Sequence, residues 1–325
     1  MSHPILSVII PVYNAGRYVR SSIMSILNQT FDNLELIAID DGSTDNSLAK
    51  LQSIADDRLK VYTNDRNRGI VYTRNKGLKL ARGKYIGMLD ADDIAYPEKF
   101  EKQIAFLEQH IDFGMVGSWA KFIDKDGRLM SGSWKLTASP GMIPSIMLFK
   151  NYFLQSAILY RRECVEQFVF REGFDILEDY LIWIEIIKGY NAWNLQEYLV
   201  DYRVHQESAT KKHKAEKLEK EKQVFRMQLS ELGIDASDSE LRLHLMIRDN
   251  NPINEINMLK STEKWLMKIH EQNIKFKVYD QKMLTKVIFV RWLKVCYKAS
   301  HLHVKMLYCL VTSKLFYIFI KNSVT

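Results

Sequence analysis

Strand-like and helical segments alternate through the first 110 residues, and this alternation constrains the fold more than any other feature of the chain. Leu6–Ile10, Leu34–Ile39 and Tyr85–Leu89 are short, nearly continuous apolar runs, the first, second and fourth strands in chain order, and Arg58–Tyr62 is the third. A strand buried on both faces reads this way, without polar alternation. Between them, Val19, Ile23, Ile26 and Leu27 fall at helical spacing, as do Leu48, Leu51 and Ile54. Ile70–Ala81 and Pro97–Glu108 read as further helices, with Pro97 suited to a first helical position. The alternation predicts an α/β fold with a mostly parallel sheet and helices on both faces. From Phe113 to about Tyr160 the pattern changes to shorter β-like runs, with turns at Asp126-Gly127 and Gly132. Leu177–Ile187 reads as helix and Tyr198–Val204 as strand, and everything beyond Lys211 reads as helix, with no glycine after Gly233.

In such a sheet, ligands bind outside the carboxyl ends of the strands. Asp40 and Asp41 end the second strand, and Asp90, Asp92 and Asp93 follow the fourth. Two unit charges about 4 Å apart repel by about 1 kcal/mol in water and about 4 kcal/mol at a protein surface. A divalent cation with hard oxygen ligands removes that repulsion, and Mg2+ or Mn2+ on one or two carboxylates completes its shell with substrate phosphates. The bland alternative is a solvated acidic loop capping the helix near Pro97. In "DDGSTD" Gly42 permits a sharp turn and Ser43 or Thr44 can cap the next helix. Asp41 could equally be a plain first-turn acid near a positive helix end. A response-regulator pocket would need a third-strand aspartate and a fifth-strand lysine, and neither pattern is present.

Charge divides the chain. Residues 1–210 carry 24 Lys and Arg against 27 Asp and Glu, and residues 211–325 carry 22 against 12. This asymmetry predicts two modules, 1–210 and 211–325, with different partners. Cys164, Cys296 and Cys309 form no framework, which suggests a reducing compartment. The apolar N-terminal run is too short for a secretory signal, and no 18-residue uncharged apolar window exists, so no spanning helix is expected.

"LSVIIPVYN", "DDGSTD", "NRGIVYTRNKG", "YIGMLDADD", "ILEDYLIW" and "YRVHQES" occur in that order from about Leu6 to Ser208. Together they resemble the family 2 inverting glycosyltransferases of the GT-A fold, and more loosely the bacterial enzymes that extend lipooligosaccharide, O-antigen or capsule chains from UDP-sugars. The resemblance implies that Pro11, Tyr13 and Asn14 border the nucleotide, with Tyr13 able to stack on uracil. It implies that Asp41 accepts the uracil N–H, that Asn67 and Arg74 pass near the base and diphosphate, and that Asp90 holds the ribose. Asp92, with Asp90, would ligate Mg2+ or Mn2+, and Asp93 would support the loop or cap the following helix. Asp179 would be the base that deprotonates the acceptor hydroxyl, and Glu178 would bind acceptor hydroxyls or orient Asp179. The bland reading makes both first-turn acids favoured by the helix dipole. Arg203 and His205 share one strand face and could reach the diphosphate or metal.

The expected reaction is transfer of a hexose or N-acetylhexosamine from a UDP-sugar to a saccharide acceptor carried on a lipid. Transfer to a polyprenyl phosphate is the alternative, disfavoured because a phosphate acceptor needs no base. A non-catalytic nucleotide-sugar scaffold is disfavoured because every acid that turnover requires is present, and a nucleotidyltransferase by the lack of a glycine- and arginine-rich loop after the first strand. From Gln281 onward there are eight Lys or Arg and no Asp or Glu. Lys286, Lys294, Lys298 and Lys305 recur near multiples of a helical turn, among Phe289, Trp292, Leu293, Tyr297 and "LFYIFI". A basic, aromatic, amphipathic helix suits an anionic membrane surface, which would place the enzyme peripherally on the cytoplasmic face of the membrane. A packed helical bundle or a homodimer interface is the competing reading. Nucleic acid is not expected, because the basic residues carry no recognition motif. His301 and His303 lack metal-pair spacing, and residues that select the donor sugar are expected between Gly114 and Tyr160.

Overall fold

The computed structural model describes residues 3–205, 214–249, 251, 255–299, 306 and 309–323. The chain divides into two compact units, Met1–Pro140 with Phe153–Lys217, and Gly141–Tyr152 with Leu218–Thr325.

The first unit opens as the periodicity predicts. In chain order its elements are β1 (Leu6–Val12), α1 (Val19–Leu27), β2 (Leu34–Asp40), α2 (Ser47–Gln52), β3 (Leu59–Thr63), α3 (Ile70–Leu80), β4 (Tyr85–Met88), β5 (Ile94–Ala95) and α4 (Lys99–Gln109). They are followed by β6 (Phe113–Ile123) and β7 (Leu129–Trp134). Every residue of β1, β2 and β4 is buried, which explains their unbroken apolar runs. After α5 (Ile143–Met147), which belongs to the second unit, come β8 (Leu159–Arg161), α6 (Arg162–Glu166), α7 (Glu178–Gly189) and β9 (Asn191–Arg203). The sheet runs β3-β2-β1-β4-β8-β6-β9-β5, with β7 paired to β6. The pairs β1/β2, β1/β4, β2/β3 and β6/β9 are parallel, whereas β8 is antiparallel to both its neighbours. The fold is the mixed, mostly parallel α/β sheet of the GT-A class, followed by C-terminal helices.

Several local readings are corrected. Pro97 precedes its helix: its carbonyl accepts the Thr30 amide at 3.0 Å, so Pro97-Glu98 is a turn and the helix begins at Lys99. Ser43 and Thr44 do not cap α2, because both are tied to Asn14, through Ser43 Oγ at 3.0 Å and the Thr44 amide at 2.8 Å. Asp45 instead accepts the Ser47 amide in the first turn. The strand expected at Tyr198 begins at Asn191, because irregularities in register let the polar stretch 191–197 continue its pairing with β6. Residues 140–147 are helical rather than β-like.

The second unit contains α5, α8 (Lys214–Glu231), most of which belongs to it, α9 (Asp238–Asp249), α10 (Ile256–Phe276), α11 (Gln281–Lys298) and α12 (Lys314–Ser323). Fully buried His244 on α9 ties down the residues that follow α5. Its Nε2 bonds the Leu148 carbonyl at 2.9 Å and its ring stacks on Phe149, while burial pulls its pKa down to about 4. The imidazole is therefore a neutral structural link. His301, His303, Lys305 and the end of "YRVHQES" lie outside the described residues.

Candidate active site

Strand register creates the site. Val12 lies opposite Asp40 and Ile9 opposite Met88, so the carboxyl ends of β1, β2 and β4 finish side by side. The Asp41 amide donates to the Val12 carbonyl at 2.7 Å, continuing the ladder to the first acid of the turn. Pro11 is buried inside β1, whereas Tyr13 beyond its end is 47% exposed. Asn14 adopts a left-handed backbone and laces this end to the 43–44 turn.

Asp41 organises the neighbouring loop. Its Oδ1 accepts from Asn64 Nδ2 at 2.7 Å and from the Arg68 amide at 2.9 Å, and its Oδ2 accepts from the Gly69 amide at 2.9 Å. Asn67 Oδ1 also accepts from Gly69. Gly42 is required here, because its φ is +69° and a Cβ would come within 2.5 Å of the Arg66 backbone. Asp41 and Asn67 thus belong to one loop network at the end of β2. Neither makes a described bond to the carboxylates beyond β4.

Those carboxylates divide by environment. Asp93 is fully buried and accepts the Arg203 amide at 2.7 Å. Burial, then the charges of Asp92 and Asp90, hold its pKa well above the usual carboxylate range. Asp90 and Asp92 keep partial exposure, with side chains 33% and 27% accessible. The pairing of β5 with β9, Ile94 opposite Asp201, brings this loop to the end of β9. Arg203 Nε there donates to the Asp92 carbonyl at 2.8 Å, and His205 Nε2 lies 2.8 Å from Asp92 Oδ2. Tyr18 adjoins both, with Arg203 4.5 Å from its ring centroid and the His205 ring at 5.6 Å.

Arg74, buried on α3, joins this loop to the acids of α7. It donates to Asp90 Oδ1 at 2.8 Å and to Glu178 Oε1 at shorter range. Burial opposes its charge, but the fields of Glu178, Asp90 and Asp179 raise its pKa, so the guanidinium stays charged. Burial pushes Glu178 up to about 8 despite Arg74, and raises Asp179 as well. Asn75, the next residue, exchanges two 2.9 Å bonds with the backbone of Phe170, holding the segment that leads into α7. Leu177 enters that helix at φ +84°, a strained conformation for a residue with a Cβ. Trp183 on α7 donates to the Tyr160 hydroxyl at 2.6 Å, anchoring the helix to β8.

The structure thus gathers Asp90, Arg74, Glu178 and Asp179, and beside them Asp92, Arg203 and His205. Four supporting residues escape a reading of motifs. Ser156, which accepts the Asp90 amide at 3.0 Å, Tyr18 and Asn64 carry no sequence signal. Lys99 carries one, since it and Gln103 are polar residues on the otherwise apolar buried face of α4.

A family model described as "Glycosyl transferase family 2" matches residues 7–169. An uncharacterized glycosyltransferase of Haemophilus influenzae is 32% identical over 319 residues, 90% of this chain and 99% of the relative. The chain belongs to glycosyl transferase family 2 and is a glycosyltransferase. It is also similar to the Escherichia coli UDP-Glc:alpha-D-GlcNAc-diphosphoundecaprenol beta-1,3-glucosyltransferase WfgD, at 34% identity over 64% of this chain and 80% of that one. Its fold matches S. aureus TarS 1-349, solved with UDP-GlcNAc, at a TM-score of 0.57 and 17% identity, covering 91% of each chain.

Removing one partner from a buried charge pair costs about 3–5 kcal/mol, because the remaining charge is stranded. Above about pH 8, where Glu178 is ionised, Arg74→Met should therefore lower the urea midpoint of unfolding substantially, and Arg74→Met/Glu178→Gln should recover part of the loss. An unchanged midpoint for Arg74→Met would show that the bridge does not carry this load.

Proposed function

We propose that the protein transfers a hexose or N-acetylhexosamine from a UDP-sugar to a saccharide acceptor with inversion, in the synthesis of a bacterial surface polysaccharide or lipooligosaccharide. The observation that carries this reading is the bridge from Asp90 through Arg74 to Glu178, which sets the donor-side acids beside Asp179. The similarity to WfgD, named for UDP-Glc and a diphosphoundecaprenol-linked acceptor, supports the donor class and a lipid-linked acceptor.

In this reading the ends of β1 and β2 hold the nucleoside. Pro11, Tyr13 and Asn14 border it, Tyr13 stacks on uracil, and Asp41 accepts the ring N–H with the lone pair its three loop bonds leave free. Asn67 shapes the adjoining loop, Arg74 faces the diphosphate, and Asp90 holds the ribose. Asp179 takes the proton of the acceptor hydroxyl as that oxygen attacks the anomeric carbon, and Glu178 orients the acceptor. A base whose pKa is raised by burial is better matched to proton abstraction near neutrality than an ordinary carboxylate.

The donor set suits a divalent cation. Asp92 offers a partly exposed hard oxygen, Asp90 a second one, and His205 Nε2 sits beside Asp92 Oδ2. Among the described residues no three His, Cys, Asp or Glu side chains form a complete cage. Mg2+ or Mn2+ bound here would take the rest of its shell from substrate and water and would neutralise charge on the departing diphosphate. Arg203 would assist from the end of β9.

The second unit supplies a surface for an anionic bilayer. On α11, Val290, Leu293 and Tyr297 are exposed, flanked by exposed Lys294 and Lys298, and Tyr297 is 76% accessible. On α12, which packs on α11 through stacked Phe289 and Phe319, Tyr317 and Ile320 are exposed beside Lys314 and Lys321. Burial, then the positive fields of Arg291 and Lys294, lower the pKa of Lys150 nearby. Basic residues near an anionic surface contribute about 1 kcal/mol each. Among the described residues no helix is long and apolar enough to cross a membrane, so any contact made by these helices is peripheral.

Calorimetric titration with UDP should show Mn2+-dependent binding by the wild type and by Asp179→Asn, loss of the Mn2+ dependence in Asp92→Asn, and no transfer by Asp179→Asn. Because burial raises Asp179, ionising it costs stability at neutral pH, so Asp179→Asn should also melt higher at about pH 7.5, with the gain fading towards the ordinary aspartate value of about 3.9. Transfer at the wild-type rate by Asp179→Asn would refute the assigned base. In co-sedimentation with vesicles containing phosphatidylglycerol, Lys294→Glu/Lys298→Glu should bind at least about tenfold more weakly. Equal binding by this variant, or equal binding of the wild type to pure phosphatidylcholine, would refute the surface.

A further inference from the structure

Lys99 is the first residue of α4 and is fully buried. Its ammonium donates to the Ser156 carbonyl at 2.5 Å and to the Met88 carbonyl at 3.4 Å. It also lies 4.5 Å from the centroid of the Phe100 ring. One helical turn on, Gln103, also fully buried, donates from Nε2 to the Ala157 carbonyl at 2.7 Å and the Val116 carbonyl at 3.2 Å. Both polar side chains on this face therefore grip one short turn, Gln155–Ala157. That turn presents Ser156 Oγ to the Asp90 amide at 3.0 Å. From Lys99 to the first strand-end acid there are two hydrogen bonds, through the backbone and side chain of one serine.

A buried ammonium that touches only carbonyls and a ring is costly, and burial draws the Lys99 pKa down to about 7, opposed by the negative fields of Asp93 and Asp90. Asp93 is the fully buried member of the acid cluster. The catalytic roles proposed above leave Lys99 unused.

We propose that Lys99 is a positioning residue for the strand-end acids: by gripping the Ser156 carbonyl it holds the Gln155–Ala157 turn whose serine hydroxyl receives the Asp90 amide. Asp90 and Asp92 are thereby presented to the donor in a fixed arrangement. The ligand of this site rests on the UDP-sugar reading, whereas the link from Lys99 through Ser156 to the Asp90 amide does not.

The test is a double-mutant cycle on the full chain with Lys99→Met, Ser156→Ala and the double variant. Ser156→Ala removes the hydroxyl that receives the Asp90 amide while keeping the backbone carbonyl that Lys99 grips. UDP affinity in Mn2+ is measured by calorimetry, and thermal midpoints are measured without ligand. Lys99→Met should weaken UDP binding by about tenfold, Ser156→Ala should weaken it too, and the double variant should be little weaker than Lys99→Met, as expected for two groups acting through one turn. Wild-type affinity in Lys99→Met, or losses that simply add in the double variant, overturns the proposal, since a packing role does not pass through the Ser156 hydroxyl. Should the wild type not take UDP, the donor reading fails but the melts still decide. Midpoint losses that fall short of additive support the link, and additive losses overturn it. Lys99→Gln, which keeps a donor without charge, replaces Lys99→Met where that variant does not fold.

Discussion

Arg74 is the junction on which the site depends. One guanidinium on α3 donates to Asp90 beyond β4 and to Glu178 at the start of α7, two positions 88 residues apart in the chain. Around it the same helix holds the rest together. Thr73 bonds Asn64 of the Asp41 loop, and Asn75 pairs with the backbone at Phe170. The fork geometry and permanent charge of arginine suit this task, since two carboxylates must be bridged in a buried setting where lysine offers a single point charge. Without that charge, Glu178 and Asp90 would face each other across a low-dielectric cleft.

The carboxylates at the strand ends look unstable when read along the chain. Their neutralisation comes from inside as well as from any bound cation. Arg74 serves Asp90, the Arg203 amide serves Asp93, and Lys99 lies beneath the loop. Such a cluster is maintained at some cost in stability, as the raised pKa values of Asp90, Asp93 and Asp179 indicate. Sites that hold charge for use at the moment of reaction commonly carry such a cost.

Much of the fold was legible because its signals are local. Fully buried parallel strands announce themselves as apolar runs, and acids at their ends must share an edge once the strands are parallel. The acid pair Glu178-Asp179 was legible as the first turn of an apolar helix. Other features depend on partners distant in sequence. That Ser43 and Thr44 bind Asn14 instead of capping α2 follows from the meeting of β1 and β2, which no local propensity encodes. The early start of β9 depends on its partner β6, and the helical segment at 140–147 meets neighbours as distant as Gln228, which donates to the Met147 carbonyl. Lys99 was hidden by a prior that treats a lysine in a helix as solvated, although its place on the apolar face of α4 pointed inward.

The role proposed for Asp179, a carboxylate base opposite the leaving group, implies a single displacement at the anomeric carbon. The most direct measurement is the anomeric configuration of the product formed from a UDP-α-sugar, read by proton NMR from the coupling of its anomeric hydrogen. The account predicts a β-linked product. An α-linked product would mean retention, and would contradict the role given to Asp179 and the arrangement that Arg74 maintains.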